Sequence, residues 1–140
     1  MEKRAKNWSP YPVEDRVPTK HGWVVMYTEG FKNGIGTDIG FGTSIQAQSG
    51  VEIGDRAEIG PGCRILSVST ISPTGESLSG KVIIGEDAMI GANAVVMPGV
   101  TIGKGAIVGA LSLVKGDIPA GEVWGGIPAR FLYKVGEKNK

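Results

Sequence analysis

Few side chains in this 140-residue chain can do acid–base or metal chemistry. It holds one histidine, His21, and one cysteine, Cys63. His21 is therefore the one imidazole able to take a proton near neutral pH. A catalytic zinc needs three protein ligands, and sites built on histidines find too few here. A lone cysteine cannot close an internal disulfide. The 23 glycines have no three-residue period, which excludes collagen. They also form no phosphate-cradling loop. They fall instead at regular intervals, so the elements that carry them come next.

The stretch Lys81 to Asp117 is organised in sixes. Counting from Ile84 gives Ile90, Val96, Ile102, Val108 and Val114, all aliphatic and β-branched. Two residues before each beat lie Val82, Ala88, Ala94, Val100, Ala106 and Ser112, all small or aliphatic. An α-helix repeats at 3.6 and a strand at 2, so a period of six means short strands broken by regular turns. Repeats of this kind stack as a solenoid. The same beat runs earlier through Ile35, Phe41, Ala47, Ile53, Ile59, Ile65 and Ile71. Its two-back set is Asn33, Ile39, Ile45, Val51, Ala57, Cys63 and Ser69. Cys63 thus reads as a small core residue. The runs are out of phase, because Ile71 to Ile84 is thirteen residues. The Ser/Thr/Gly/Pro-rich segment 67–81 therefore leaves the coil and returns. Three hexads make a three-sided coil of 18 residues, stacking at about 4.8 Å per coil.

The length fits one domain. Residues 1–20 contain Pro10, Pro12 and Pro18, which disfavour a helix. They read as an extended arm that either wraps a neighbour or stays disordered. Residues 21–140 form the solenoid domain. Trp23–Thr28 reads as a strand in an irregular first coil, Glu122–Trp124 as a last strand, and Phe131–Tyr133 as a short helix or strand closing the end. The tail 136–140 is polar and expected to fray. A net charge of +1 gives no electrostatic case for nucleic acid or a membrane surface. No apolar run approaches the roughly 20 residues that span a bilayer. The charged, proline-containing start is unlike a signal peptide, so a cytoplasmic location is expected.

The hexads, the phrase from Ile90 to Gly103 (IGANAVVMPGVTIG) and the ending Gly125–Arg130 (GGIPAR) resemble the hexapeptide-repeat acyltransferases. The likeness is greatest to the small branch that acetylates sugars or nucleotide-linked sugars. It covers about residues 30–133. It implies an all-β fold, a single-stranded left-handed parallel β-helix with an N-terminal arm and a C-terminal cap. That hand is an exception to the rule for parallel crossovers. It also implies a homotrimer, with acetyl-CoA or another short acyl-CoA held between adjacent prisms, and no metal.

Carried onto matching positions, the resemblance assigns cofactor binding to Gly91, Ala92, Gly109, Ala110, Lys115, Ile127, Pro128 and Arg130. Arg130 would pair a CoA phosphate. The family often has Thr-Lys before the Asp-Ile-Pro turn. Here Lys115-Gly116 stands there, so that cation is displaced by one, and Lys104 is a second candidate. With the nucleotide by Arg130, the thiol would lie three or four coils away, at the level of 67–81. That segment is then expected to wall the acceptor pocket. Many O-acetyltransferases of the family carry a histidine there, and this one has none. Either the acceptor is an amine, which needs less help from a base, or Glu76 or a neighbouring chain's His21 takes the proton. Asn93 is a candidate hydrogen-bond partner for the acceptor, or a turn residue. The alternative is a non-catalytic solenoid scaffold or binding protein, which the absent histidine favours and the GGIPAR ending opposes.

Overall fold

The computed structural model describes residues 8–9, 12–70 and 74–137. Short parallel strands stack into three faces of a prism. The first face is built from Val24–Met26, Ser44–Gln46, Arg64–Leu66, Val95–Val96 and Leu113–Val114. The second stacks Phe31–Asn33, Val51–Ile53, Val82–Ile84 and Thr101–Ile102, and Ile118 extends it by a bridge to Ile102. The third stacks Asp38–Ile39, Glu58–Ile59, Met89–Ile90, Ile107–Val108 and Glu122–Gly126.

The six-residue beat has a simple cause. Each strand sends two residues inward, at i and i−2, and a four-residue turn carries the chain round the edge to the next face. In the second run every inward pair is buried, from Val82 and Ile84 to Ser112 and Val114. The large β-branched residue fills the middle of the prism and the smaller one fits beside the turn. Val96 pairs with Val114, one 18-residue coil away.

The first run departs from the even count. There Val25 pairs with Ile45 and Ile45 with Ile65, so the coil holds 20 residues. The two extra residues of each coil lie in the turn between the first and second faces, at 27–30 and at 47–50, where Ala47 is fully buried. Before that turn the inward beat is the other one: Ile39 and Ile45 are buried, while Ile35 and Phe41 are 55% and 76% exposed. Counting Ile35 and Phe41 as inward is thus corrected by the wide turn. Ile71 lies outside the described residues.

The segment 67–81 leaves the prism at the edge between the first and second faces. Ile65 pairs with Val96, so this coil holds 31 residues. The excursion is an antiparallel hairpin, with Val68 opposite Ser79 and Ser69 opposite Leu78. Its root is fixed: buried Ser67 accepts a bond from Ser49 N–H (2.9 Å) and donates to Gln46 Oε1 (2.9 Å). Where it rejoins, Lys81 pairs with Glu52 at 2.9 Å, and that hydrogen bond holds the Glu52 carboxyl below its ordinary range. Residues 71–73 lie outside the described residues.

Both ends of the prism carry tryptophan. Trp23 is buried at the first coil, its ring 6.0 Å from that of Phe31. The expected strand there is shorter, Val24–Met26, and Thr28–Gly30 is a 3-10 turn. Of the expected arm, residues 14–17 make a turn, and Arg16 N–H bonds Val25 C=O at 2.7 Å. Residues 1–7, 10–11 and 138–140 lie outside the described residues. At the other end Ala129–Lys134 pairs antiparallel with Glu122–Gly126 and closes the third face. Among the described residues no helix is long and apolar enough to cross a membrane.

Candidate active site

The edge between the third and first faces carries Gly91–Ala94 and, one coil on, Gly109–Ser112. These turns stack closely. A Cβ on Gly91 would lie 2.5 Å from the Ala110 nitrogen, so this edge needs glycine where the backbones meet. Gly91 N–H donates to Val108 C=O at 2.8 Å, and Gly109 N–H to Trp124 C=O at 2.9 Å. Gly91, Ala92, Gly109 and Ala110 therefore form one continuous column.

Each turn on this edge passes through a left-handed residue: Gly42, Gly62, Asn93 (φ 60°) and Leu111 (φ 64°). Asparagine tolerates that conformation, and Asn93 is an exposed turn residue whose N–H donates to Pro61 C=O at 2.9 Å. A leucine there carries a penalty of roughly 1–2 kcal/mol relative to glycine.

The column is capped by the GGIPAR turn. Ser112 Oγ donates to Gly109 C=O (2.7 Å) and accepts from Gly126 N–H (3.2 Å), fastening that turn to the last regular coil. Ser112 was visible in the sequence only as the one polar residue on an otherwise aliphatic beat. Ile127, in the turn, is 74% exposed.

Lys115, Pro128 and Arg130 line one cleft of about 180 Å³ at the C-terminal end of the prism, with Asp117 and Trp124. Asp117 is engaged by Thr101 N–H at 2.8 Å, and Trp124 Nε1–H by Glu122 at 3.0 Å. The Arg130 guanidinium donates to Ala129 C=O at 3.2 Å and is otherwise turned to the exposed side. Two cations on one concave surface are suited to a phosphate-bearing ligand. The displacement of Lys115 by one position still leaves it beside Arg130.

Lys104 is not such a cation. On the edge between the second and third faces its ammonium pairs with Glu86 at 2.9 Å, which raises its pKa. Arg56 joins the same ladder, 2.9 Å from Asp87 and 3.4 Å from Glu86. The hydrogen bond from Arg56 holds the Asp87 carboxyl below its usual range. Glu86 and Lys104 are one 18-residue coil apart, so the pairing was readable once the coil length was known. Lys104→Gln is expected to leave the dissociation constant for CoA within about twofold, by calorimetric titration, because exposed pairs of this kind contribute little.

The three candidate catalytic residues stand apart in one chain. His21 lines a cavity of about 450 Å³ at the N-terminal end, with Trp8, Trp23 and Phe41. Glu76 is exposed on the excursion hairpin, and Asn93 lies on a different edge. The excursion and Lys115 share an edge, with a single intervening coil: Gly99 N–H bonds Gly80 C=O, and 115–117 follow one coil later. The separation is thus two coils, about 10 Å at the inter-strand spacing, rather than three or four. Cys63 is buried, its thiol donating to Gly91 C=O at 3.2 Å, and burial pushes its pKa up. It is a core residue, as its inward beat implied. Among the described residues no three His, Cys, Asp or Glu side chains gather to hold a metal.

Residues 81–116 match the family model for the bacterial transferase hexapeptide (six repeats). Residues 81–116 are thus hexapeptide repeats. A 2,3,4,5-tetrahydropyridine-2,6-dicarboxylate N-acetyltransferase of Clostridium perfringens (strain SM101 / Type A) is 53% identical over 58 residues, 41% of this chain and 25% of that protein. The chain thus spans about a quarter of that curated relative's length. A hexapeptide-repeat acetyltransferase of Vibrio cholerae O1 biovar eltor, solved with acetyl coenzyme A, superposes with a TM-score of 0.76 at 28% identity, covering 82% of this chain and 66% of that one. A maltose O-acetyltransferase of Clostridium difficile 630 superposes with a TM-score of 0.75 at 27% identity, covering 83% and 65%. The fold of the chain is the left-handed parallel β-helix of these acetyltransferases, which places it outside the right-handed crossover rule.

Proposed function

We propose that this hexapeptide-repeat chain is an acetyl-CoA-dependent acyltransferase. The observation that carries the reading is the convergence of Lys115, Pro128 and Arg130 on one cleft, at the end of the glycine–alanine column. The cations would hold CoA phosphates. Backbone along Gly109–Ala110 and Gly91–Ala92 would line the pantetheine arm as it runs towards a neighbouring chain's excursion.

The acceptor is a sugar or nucleotide-linked sugar, with an amine favoured over a hydroxyl. A neutral amine attacks the thioester carbonyl carbon, the C–S bond breaks, and the proton lost from nitrogen neutralises the departing thiolate. Such an acceptor suits a site whose own chain brings no histidine near the excursion. The reaction is then driven by positioning. Side chains on flat faces can pack about a three-fold axis, and a homotrimer would set one chain's column beside its neighbour's excursion. A neighbour's His21 or Glu76 would be the base if the acceptor is a hydroxyl. A cytoplasmic location belongs to the same proposal.

The dispersal of His21, Glu76 and Asn93 favours one rival, a non-catalytic trimeric scaffold. Thermal unfolding with acetyl-CoA separates the two. Ligand at 100 times its dissociation constant stabilises by about 2.7 kcal/mol, which is expected to raise Tm by several degrees. No shift at millimolar acetyl-CoA would favour the scaffold. Release of free thiol from acetyl-CoA, screened over amino-sugar nucleotides, then identifies the acceptor.

A further inference from the structure

Arg64 is a cation held in place and left unneutralised. It opens the strand Arg64–Leu66 on the first face and is exposed. Its Nη1 donates to Gly42 C=O at 2.9 Å, to Cys63 C=O at 3.1 Å and to Gly62 C=O at 3.4 Å. These carbonyls fix the guanidinium without cancelling its charge. Arg56, by contrast, is paired with Asp87, and Lys81 and Lys104 with Glu52 and Glu86. Among the described residues no carboxylate pairs with Arg64, and its Nε and Nη2 make no bond. Those two nitrogens form one edge of the fork. An arginine fixed with that edge open is suited to a two-toothed grip on a carboxylate or phosphate.

Its place in the fold indicates which anion. Leu111 N–H donates to Ala92 C=O, Asn93 N–H to Pro61 C=O, and Gly62 N–H to Phe41 C=O. The turn position of Ala92 thus recurs at Pro61 and ends at Phe41, two coils or about 10 Å beyond Ala92. The Phe41 ring rests on Gly22, where a Cβ would lie 2.2 Å from Cδ2, and it is 76% exposed. Gly42, whose carbonyl Arg64 grips, is the next residue. A fixed cation and a seated aromatic ring therefore share the end of the column opposite the Lys115–Arg130 cleft. CoA anchored by its phosphates at that cleft brings only its acyl end here. An anion held by Arg64 then belongs to the other substrate.

We propose that Arg64 grips an anionic group of the acyl acceptor, either a carboxylate or the diphosphate of a nucleotide-linked sugar, and that Phe41 covers the neutral ring beside that group. Arg64 is a binding residue that selects acceptors carrying an oxyanion over neutral free sugars. This inference rests on the acyl-CoA reading above.

Calorimetric titration tests it with two probes, UDP for a nucleotide diphosphate and phthalate for a planar ring bearing carboxylates. CoA is present throughout, so that the Lys115–Arg130 cleft is filled. At least one probe is expected to bind at millimolar concentration or below. Arg64→Gln is expected to raise its dissociation constant at least about tenfold, the scale for losing a bond to a charged group, and to leave CoA affinity unchanged. Arg64→Lys keeps a donor for Gly42 C=O but loses the fork, so it is expected to hold Tm and still weaken the probe several-fold. Binding of UDP alone marks a nucleotide-linked acceptor and binding of phthalate alone a carboxylated one, and either supports the grip. The grip is overturned if neither probe binds, or if both Arg64 variants bind a probe as tightly as the intact protein does. The same titrations without CoA, in an Arg130→Ala background, separate the two readings. If the unsubstituted protein binds no CoA, the acyl-CoA reading fails, while a loss of probe affinity on Arg64→Gln in that background still upholds an anion site.

Discussion

Truncating Ile102 to alanine is expected to lower the unfolding free energy by about 2–5 kcal/mol. Ile102 is fully buried on the second face, paired in register with Ile84 on one side and bridged to Ile118 on the other. Part of the cost is the lost transfer of buried methyl groups. The rest depends on whether the hole can close. Here it cannot close easily, because backbone ladders on three faces fix the spacing of the coils at about 4.8 Å. Neighbouring coils are thus held apart by hydrogen bonds that do not shorten when a side chain is removed. Ile102→Val removes a single methyl and is expected to cost about 0.5–1.5 kcal/mol. Urea unfolding of the two variants, read as a change in midpoint at constant slope, measures both. Phe41→Ala is the internal control, because a side chain exposed as Phe41 is should move stability by no more than about 0.5 kcal/mol. A loss below 1 kcal/mol for Ile102→Ala would mean the coils do slide together.

That contrast between Ile102 and Phe41 marks what could be read in the sequence. The period was legible because each face takes two inward residues and each edge a fixed turn. Pattern alone then gave Val82 through Val114, all as found. The phase was not legible before Ile53. A turn with two extra residues at 47–50 shifts the beat by two, and the sequence on both beats there is apolar. Ile35 and Phe41 therefore fit the count while facing out. Only the identity of Ala47, small enough to fit inside the wide turn, hints at the slip. The excursion was legible from the thirteen-residue jump, but its hairpin was not, since Val68–Ser69 and Leu78–Ser79 are too short to show alternation.

The site divides in the same way. Gly91, Ala92, Gly109 and Ala110 came from the resemblance, and their spacing of 18 residues sets them one coil apart on one edge. The meeting of Lys115 with Arg130 was not, because it depends on how Ala129–Lys134 folds back against Glu122–Gly126. A strand was one of two readings for that segment, and no local pattern sets the direction of its return. Lys104 shows the reverse case. Its charge suggested a ligand, while its partner Glu86, one coil earlier, was within reach of the same arithmetic that gave the fold.

Replacing Arg130 with alanine is expected to weaken CoA binding by about 1–3 kcal/mol, the range for losing a hydrogen bond to a charged group. That corresponds to a dissociation constant raised roughly 5- to 150-fold. The guanidinium is exposed and held by one backbone carbonyl, so the fold does not need it. Tm is therefore expected to stay within the scatter of surface substitutions, and a change in affinity reports the ligand alone. The Arg130→Lys variant separates charge from geometry. A point charge that merely attracts phosphate would be replaced well by lysine, whereas a two-toothed grip would not. Lys115→Ala, in the same cleft, should weaken binding as well, and the double variant should show coupling if both cations meet one phosphate group. Calorimetric titration with CoA and with dephospho-CoA then places the grip. If Arg130 holds the 3′-phosphate, its removal costs affinity for CoA and nothing for the dephosphorylated ligand. Unchanged affinity for both in Arg130→Ala would retire the cleft as the nucleotide site, and with it the direction in which the thioester has been laid along the prism.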